Sequence, residues 1–466
     1  MKGKRGKSIK NKKLILTKYF QQFKKILNKF MKPTILYARH SLILFFILIV
    51  GIVGYNGLIK KNLEYEKLKD ENYVKNVKSY VVSKVKRSYK DTVRVARDSY
   101  IYKYVDNKLE IAGTIAKDNI IKIEQSNIDE TLKEKDFFYK ITSLDEEYYI
   151  LYDNITSYDS DIEEEEFKYR FKNYIPFNEN IVTNEKTSFY KNGKLRYTFY
   201  KSFNLPIYVK NNDSYSVVFN NELLEVKKED VKNTIPNSNS NELKAKEVPV
   251  LLYHFIYDQS KESCNQVICN SIKQVRSHLD FMKNNSYFTP TMDEFEKFID
   301  GKINLPKKSV LITIDDGGYA QNAKALFNEY KYNATLFMVT SWFKKEEFES
   351  DYLEIHSHTH NMHRNYVCSG GNQGGAMLCS PYNELLGDLK KSRELTNNSV
   401  ALAYPFYDYN NHVINVAKDA GFRMGFGGYY EGGSQRMKIG GNKFKIPRYT
   451  ILNSTTLAYV RYAIGG

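Results

Sequence analysis

The chain has 466 residues, of which 42% are hydrophobic, and a formal net charge of +16. This length exceeds one ordinary hydrophobic core, so we expect two to four domains. The positive charge is concentrated at the start, where residues 1–40 contain thirteen Lys or Arg and no Asp or Glu. Such an arm can bind nucleic acid, but the apolar segment that follows it argues against that interpretation.

Residues 41–59 are apolar and uncharged over a length that can cross a bilayer. They begin too far from the N-terminus, and behind too long a basic region, for an ordinary cleaved signal peptide. The positive-inside rule predicts a cytoplasmic arm at 1–40, a transmembrane helix at 41–59 and an extracellular remainder. The arm also has an amphipathic pattern that would favour anionic membrane lipid, with a solubilising tail as the alternative. We therefore expect a single-pass cell-membrane protein that binds lipid and not nucleic acid.

Short segments rich in β-branched and aromatic residues follow a charged stalk at 60–90. They form two sets, at 91–160 and 175–232, and turn residues separate the segments within each set, as in small β-barrels. Each set resembles a bacterial SH3-like domain, the second more clearly through its ending Val226-Lys-Lys-Glu-Asp-Val231. In cell-wall proteins such domains often bind peptidoglycan, and a passive spacer is the alternative. A polar linker is predicted at 233–247.

From Val248 onward, strand-like apolar runs alternate with helical patterns. This alternation predicts an α/β fold for residues 248–466, with a parallel sheet or a (β/α) barrel. In such folds the chemistry belongs at the carboxyl ends of the strands. The predicted strands cover residues 248–253, 309–314, 334–339 and 400–404, and the predicted helices cover residues 272–284, 293–299, 320–330, 382–396 and 411–420.

Two motifs at strand ends carry the candidate chemistry. The run Leu311–Asp316 ends in two adjacent carboxylates, and four of the eight histidines lie within residues 356–363. One carboxylate and two imidazoles suit a divalent metal and leave positions open for water and substrate. The second carboxylate could then act as a base on that water. A turn and a solvated loop would explain each motif alone, but their order, with Tyr404-Pro-Phe406 downstream, favours the metal site.

Residues 248–463 resemble the polysaccharide deacetylase family, also called the NodB-homology or carbohydrate esterase 4 group. Four stretches carry the resemblance: Thr313-Ile-Asp-Asp-Gly317, His358-Thr-His-Asn-Met-His363, Tyr404-Pro-Phe406 and Val250-Leu-Leu-Tyr-His254. The resemblance implies a distorted (β/α) barrel. It also implies metal-dependent hydrolysis of the N-acetyl group of an N-acetylglucosamine-type sugar.

The resemblance further implies roles for particular residues. Asp316, His358 and His363 would ligate the metal, most simply Zn, although Co, Mn, Ni or Fe would suit the same ligands. Asp315 would be the base, and the backbone N–H of Phe406 would stabilise the oxyanion. The sugar groove would be lined by Tyr404, Pro405, Phe406 and Tyr407.

Two departures from the family pattern affect the remaining roles. The usual late His motif near the C-terminus is missing, so His254 is the expected acid for the leaving amine. The usual Arg ahead of the Pro-aromatic pair is also missing. Arg448 could orient Asp315 instead, with a surface position as the alternative.

The remaining histidines and the cysteines receive weaker predictions. His356 and His360 are expected beside the metal or the groove rather than as ligands, and His278 and His412 on the surface. The spacing of the four cysteines favours two local disulfides, Cys264–Cys269 and Cys368–Cys379, although other pairings stay open. The Gly-rich segment from Cys368 to Cys379 is predicted to be a disulfide-closed lid over the groove.

The first functional hypothesis is a membrane-anchored extracellular deacetylase of peptidoglycan N-acetylglucosamine, which would make the wall cationic and reduce lysozyme sensitivity. The predicted anchor and the SH3-like pair favour it. The alternative is the same chemistry on poly-β-1,6-N-acetylglucosamine. The spacing of His358 and His363 and the pair Tyr253-His254 resemble the branch that acts on that polymer. A non-catalytic wall-binding protein and an O-acetyl esterase also stay open.

Overall fold

The structure, a computed structural model, describes residues 91–106, 108–124, 138–144, 146–151, 154–158, 166–238, 243–428 and 436–466. The predicted arm, transmembrane helix and stalk at 1–90 lie outside these residues. Among the described residues, no helix has both the length and the apolar character that a membrane crossing requires. The membrane anchor therefore stays a prediction.

The first part of the described chain is antiparallel β-structure. Its strands are β1 Thr92–Val95, β2 Ser99–Val105, β3 Lys108–Ile115, β4 Ile120–Glu124, β5 Phe138–Ile141, β6 Tyr148–Leu151, β7 Ile155–Ser157, β8 Glu179–Thr183, β9 Thr187–Lys191, β10 Lys194–Phe199, β11 Asn204–Lys210, β12 Ser214–Phe219, β13 Glu222–Lys227 and β14 Val231–Pro236. Side chains alternate between core and solvent. In β1, for example, Val93 and Val95 are buried and Arg94 is exposed.

The two predicted SH3-like segments share one sheet and one core in the described residues. Strand β3 of the first set pairs with β10 of the second, where Ile115 lies opposite Tyr197. A single hydrophobic cluster includes Ile101 of the first set and Phe189 and Phe199 of the second. Strand β14 continues to Pro236, past the predicted domain end at 232 and into the predicted linker. The SH3-like classification itself stays a prediction.

The second part of the described chain alternates strands and helices. Its strands are β15 Glu247–Tyr253, β16 Phe255–Tyr257, β17 Cys269–Ser271, β18 Leu311–Asp316, β19 Ala334–Met338, β20 Leu353–Ser357, β21 Ala401–Ala403, β22 Met424–Phe426, β23 Arg436–Lys438 and β24 Tyr449–Thr450. Its helices are α1 Ile272–Asn284, α2 Met292–Ile299, α3 Ala320–Tyr330, α4 Tyr382–Leu395, α5 Asn411–Asp419 and α6 Leu457–Ile464. The predicted strands and helices are confirmed to within two residues at each end, whereas β16, β17, β20, β22, β23, β24 and α6 were not predicted.

The sheet of this second part is parallel at its centre. Its strands follow the order β22, β21, β20, β19, β18 and β15. Strand β24 pairs in parallel with β15, and Ile446, just before it, bridges to Phe426 of β22. The segment 446–450 therefore contacts both ends of the strand order, which gives a curled sheet. The carboxyl ends of the parallel strands meet at one edge.

Helix α1 illustrates how the helices cover this sheet. The Ser271 hydroxyl accepts a hydrogen bond from the Gln274 N–H and caps the first turn. Val275, Leu279 and Met282 follow at spacings of four and three and are buried in the core. These spacings place the apolar side chains on one helix face, so burial of that face stabilises the helix against the sheet.

An ion pair connects the antiparallel region to the parallel-sheet domain. Arg170 donates to both carboxylate oxygens of Glu294, at 3.0 and 2.5 Å, and to the Thr289 carbonyl at 2.9 Å. The Tyr174 hydroxyl donates to the same Glu294 carboxylate at 2.8 Å. Glu294 also completes the capping box of α2 with Thr291. Glu294, in the first turn of α2, therefore bonds both to the helix cap at Thr291 and to Arg170 and Tyr174 of the antiparallel region.

Candidate metal centre and active site

The two adjacent carboxylates at the end of β18 face different partners. Asp316 has a φ of +77°, a left-handed conformation that is strained for a residue with a side chain. The chain therefore turns at Asp316 itself, one residue before Gly317. Both carboxylates are buried, with Asp315 2% and Asp316 6% exposed.

Asp316, His358 and His363 form a compact cluster, and their ligand atoms all lie within 4.8 Å of one another. Asp316 Oδ1 lies 3.0 Å from His363 Nε2 and 3.3 Å from His358 Nε2. The Nδ1 of His358 lies 2.9 Å from the Ala403 carbonyl. That hydrogen bond assigns the proton to Nδ1 and leaves Nε2 with its lone pair toward the cluster.

This donor set fits a divalent cation. Burial by itself would raise the pKa of Asp316, but the adjacent imidazoles of His358 and His363 hold that pKa well below its ordinary range. The cluster therefore offers an ionised carboxylate and two imidazole nitrogens. Such a set suits zinc and also cobalt, manganese, nickel or iron.

Arg448 holds the second carboxylate in a bidentate ion pair. Its Nη1 and Nη2 lie 2.7 and 2.8 Å from the two oxygens of Asp315, and its Nε donates to the Gly427 carbonyl at 2.6 Å. The Arg448 side chain is 0% exposed, which rules out the alternative of a surface arginine. Burial by itself would raise the pKa of Asp315, but the Arg448 guanidinium, together with His358 and His254, keeps that pKa below its ordinary range.

His254 follows the carboxyl end of β15, beside β18. Its Nδ1 is buried and has no hydrogen-bond partner among the described residues. Burial lowers the pKa of His254, and the nearby charges of Asp316 and Asp315 act in the opposite direction. The charges of both carboxylates therefore influence the pKa of His254.

The predicted oxyanion turn, Pro405–Tyr407, lies against the cluster. The Phe406 ring centroid is 4.5 Å from that of His363. Phe406 and Tyr407 have φ values of +60° and +64°, so two successive non-glycine residues are left-handed. Both are partly exposed.

Tyr404 and Pro405, which were predicted to line the sugar groove, do not reach the surface. Tyr404 is 0% exposed, its hydroxyl donates to the Phe444 carbonyl at 3.1 Å, and its ring stacks on Tyr409. Pro405 is also buried. Because β21 is covered by helices, these two side chains pack beneath the turn, and only Phe406 and Tyr407 reach its surface.

Four further histidines in the described part of the chain lie outside the metal cluster. His278 was predicted on the surface, and this is wrong, because it is 1% exposed and its Nδ1 lies 3.0 Å from the Tyr253 hydroxyl. His412 is half-buried, with Nε2 3.1 Å from the Ser380 carbonyl. His356 is buried in β20, and His360 Nδ1 lies 3.0 Å from the Thr340 hydroxyl.

The disulfides form the two local pairs that the spacing favoured, Cys264–Cys269 and Cys368–Cys379. The Cys368–Cys379 loop packs on the Pro405–Tyr407 turn through the carboxylate of Asp408. Its role as a lid over the groove stays a prediction.

Sequence reasoning missed Trp342, which follows the carboxyl end of β19. Its ring centroid lies 4.9 Å from that of His363, and its side chain is 53% exposed. It is the single tryptophan of the chain. Its position just after a predicted strand end was a usable signal, because such ends carry the site in this fold class.

Comparison with known proteins connects this geometry to a family. Residues 302–425 match the model described as polysaccharide deacetylase. These residues form a polysaccharide deacetylase domain. The deacetylase domain is 30% identical over 199 residues to the poly-beta-1,6-N-acetyl-D-glucosamine N-deacetylase of Staphylococcus aureus, covering 38% of this chain and 66% of that protein.

A protein of the same name from Staphylococcus epidermidis is 29% identical over 189 residues, covering 36% of this chain and 63% of that protein. This chain therefore spans slightly less than two thirds of the length of these curated relatives. Among solved structures, a de-N-acetylase from Aggregatibacter actinomycetemcomitans has a TM-score of 0.40 and 20% identity, over 47% of this chain and 99% of that one. A polysaccharide deacetylase from Bacillus cereus has a TM-score of 0.38 and 20% identity, over 62% and 91%.

Proposed function

We propose that this protein is a metal-dependent N-deacetylase of N-acetylglucosamine polysaccharides. One observation carries the proposal. The Asp315 carboxylate, held by Arg448, lies beside the Asp316–His358–His363 cluster, with His358 Nε2 3.9 Å from Asp315 Oδ2. The site thus has ligands for a cation and a separate ionised carboxylate within reach of the same water.

Each residue of the site is proposed to have a separate role in amide hydrolysis. When bound, a divalent cation would polarise the acetyl carbonyl and lower the pKa of an attacking water. Asp315 would accept the proton of that water, and Arg448 would keep the Asp315 carboxylate ionised and oriented. The backbone N–H of Phe406 would donate a hydrogen bond to the carbonyl oxygen as it gains negative charge.

The leaving amine requires a proton, and His254 is the residue proposed to supply it. It follows the carboxyl end of β15, the strand next to β18, and the charges of Asp315 and Asp316 raise its pKa against the effect of burial. Its buried Nδ1 has no partner in the described part of the chain. A ring with an unused nitrogen beside the reacting centre suits a proton donor.

We propose poly-β-1,6-N-acetylglucosamine as the substrate. The two staphylococcal relatives carry this substrate in their names. The spacing of His358 and His363 resembles the same branch. The exposed indole of Trp342, beside His363, offers an apolar face to a sugar ring.

Peptidoglycan is the second candidate substrate. The antiparallel region, for which the sequence predicts two SH3-like domains, is fixed to the deacetylase domain through Arg170 and Glu294. A wall-binding region held in this way would present wall glycan to the site. The predicted transmembrane helix at 41–59 would keep the site at the outer face of the cell membrane, near both polymers.

The test is acetate release by the full-length protein in detergent with added zinc. The substrates are a soluble β-1,6-linked N-acetylglucosamine oligomer and purified peptidoglycan, each incubated with wild type and with Asp315→Asn. Release from the β-1,6 oligomer that the substitution abolishes would support the proposal. Acetate release from peptidoglycan alone would make peptidoglycan the substrate instead of the β-1,6 polymer. Acetate release from neither substrate would contradict the enzymatic function.

A further inference from the structure

Asp408 is a buried carboxylate outside the metal cluster. It is 2% exposed, and its partners among the described residues are backbone amides rather than a cation. It accepts hydrogen bonds from the N–H groups of Asn372, Gln373 and Gly375, the last two at 3.1 and 2.8 Å. A buried carboxylate must be well satisfied to remain in the core, and these amides of one loop satisfy it.

The loop that supplies these amides is shaped around the carboxylate. Gly371 and Gly374 have φ values of +72° and +62°, which glycine adopts freely. A Cβ added at Gly371 would lie 2.4 Å from Asp408 Oδ1. The Cys368–Cys379 disulfide closes the same loop. The glycine-rich segment therefore wraps an internal anion and does not need an external one.

The same loop contacts the oxyanion turn at Phe406 and the Asp408 carboxylate just after the turn, and one further hydrogen bond closes the turn itself. The Asn372 side chain donates to the Phe406 carbonyl at 3.1 Å. The Asp408 N–H donates to the Pro405 carbonyl at 3.0 Å. Phe406 and Tyr407 both lie in the left-handed region that non-glycine residues rarely occupy. Such a turn persists only where its surroundings define it.

A displaced turn would move groups at the reacting centre. Phe406 carries the proposed oxyanion donor, and its ring packs on His363. The Arg448 guanidinium lies over the Tyr407 ring, 5.9 Å from its centroid. The turn therefore contacts both the metal cluster and the arginine that orients Asp315.

We propose that Asp408 is a positioning residue for deacetylation, which, with the Cys368–Cys379 loop, holds the Phe406 N–H where the oxyanion forms. This inference rests on the proposed hydrolase function. It explains why a buried carboxylate with no direct part in hydrolysis lies two residues after the donor. A displacement of about 1 Å at such a donor costs about 100-fold in rate.

The experiment compares four full-length proteins in detergent with zinc: wild type, Asp408→Asn, Asn372→Ala and Asp419→Asn. Asp419 is the matched control, because it is an aspartate that accepts a hydrogen bond from Tyr382 on the surface of the protein. The measurements are kcat and KM for acetate release from a β-1,6-linked N-acetylglucosamine pentamer, the zinc content and Tm. Asn372 is exposed, so Asn372→Ala tests the turn even if Asp408→Asn fails to fold.

We expect kcat to fall about 100-fold in Asp408→Asn and about fivefold in Asn372→Ala, with KM and zinc content unchanged. Asp419→Asn should match wild type. An unchanged kcat in Asn372→Ala, or a loss of zinc in a folded Asp408→Asn, would overturn the positioning role while leaving the proposed function standing. An inactive wild type would overturn both.

Discussion

The deacetylase domain and the antiparallel region place their charges differently. In the deacetylase domain, Asp315 and Arg448 form an ion pair whose side chains are 2% and 0% exposed. In the antiparallel region, Lys103 and Glu146 pair with side chains that are 44% and 42% exposed. Burying charge is costly unless it is paired and hydrogen-bonded. A fully buried pair at the proposed site fits a role in the chemistry, whereas an exposed pair such as Lys103–Glu146 contributes little to stability.

The largest expected effect comes from removing a metal ligand. Asp316→Asn replaces the ionised carboxylate of the cluster with a neutral amide, so zinc affinity and activity should both be lost. Zinc content should fall from about one per chain toward zero, measured after dialysis. Retention of zinc and activity would show that the Asp316, His358 and His363 cluster is not the metal centre.

The next effect comes from breaking the buried pair. Arg448→Gln leaves the Asp315 charge buried and unpaired, so the free energy of unfolding should fall by about 3–5 kcal/mol. Acetate release should also fall, because Asp315 loses its orientation and its ionised form. The control is Arg276→Gln, which breaks a pair with 41% and 54% exposed side chains and should cost less than about 1 kcal/mol. Equal losses of unfolding free energy in the two variants would show that burial does not determine how much an ion pair stabilises this protein.

Much of the metal cluster could be predicted because its residues are local patterns at strand ends. Asp315 and Asp316 end an apolar run, and the histidines are concentrated in one short segment. Arg448 was only a weak candidate, since it lies 133 residues after Asp315 and reaches it through the return of segment 446–450 between the sheet edges. No short-range pattern reports such a contact.

Other features depended on packing that sequence patterns do not contain. His278 lies on a helical pattern and was predicted on the surface, yet its ring turns inward to the Tyr253 hydroxyl. Tyr404 stands in the right motif, but the strand before it is covered on both faces, so its ring supports the turn from within. Asp408 required the shape of the glycine-rich loop, which was predicted only as a lid.

A smaller, pH-dependent effect is expected at Glu354 in β20. Burial raises the pKa of Glu354 to about 7 from an ordinary value of 4.5. The folded protein therefore binds this proton more tightly than the unfolded chain, and stability declines as the pH rises from about 4.5 to 7. Glu354→Gln should match wild type in the free energy of unfolding at pH 5 and exceed it at pH 8 by about 1–2 kcal/mol.

Thermal unfolding of both proteins at the two pH values checks this prediction. The exposed Glu346→Gln is the control for the loss of one negative charge, since its side chain is 68% exposed. A Glu354→Gln gain of the same size at pH 5 and pH 8 would contradict burial as the cause.

The smallest effect is expected in the antiparallel region. Hydrogen bonds from Lys103 and Lys201 lower the pKa of Glu146 to about 2. Stability from this group is therefore present above the ordinary pKa of a glutamate and is lost as the pH falls toward 2. Because the pair is solvent-exposed, Glu146→Gln should cost less than about 1 kcal/mol at pH 7 and leave acetate release unchanged. A cost of several kcal/mol in urea unfolding would mean that exposed pairs matter here as much as buried ones.

The most direct test of the central claim measures activity and zinc content together in Asp315→Asn. The two adjacent carboxylates are proposed to have separate roles, one in binding the cation and one in accepting the proton. Asp315→Asn should therefore retain about one zinc per chain and lose acetate release by about 10²–10⁴-fold. An Asp315→Asn protein that binds zinc and releases acetate at the wild-type rate would contradict the account.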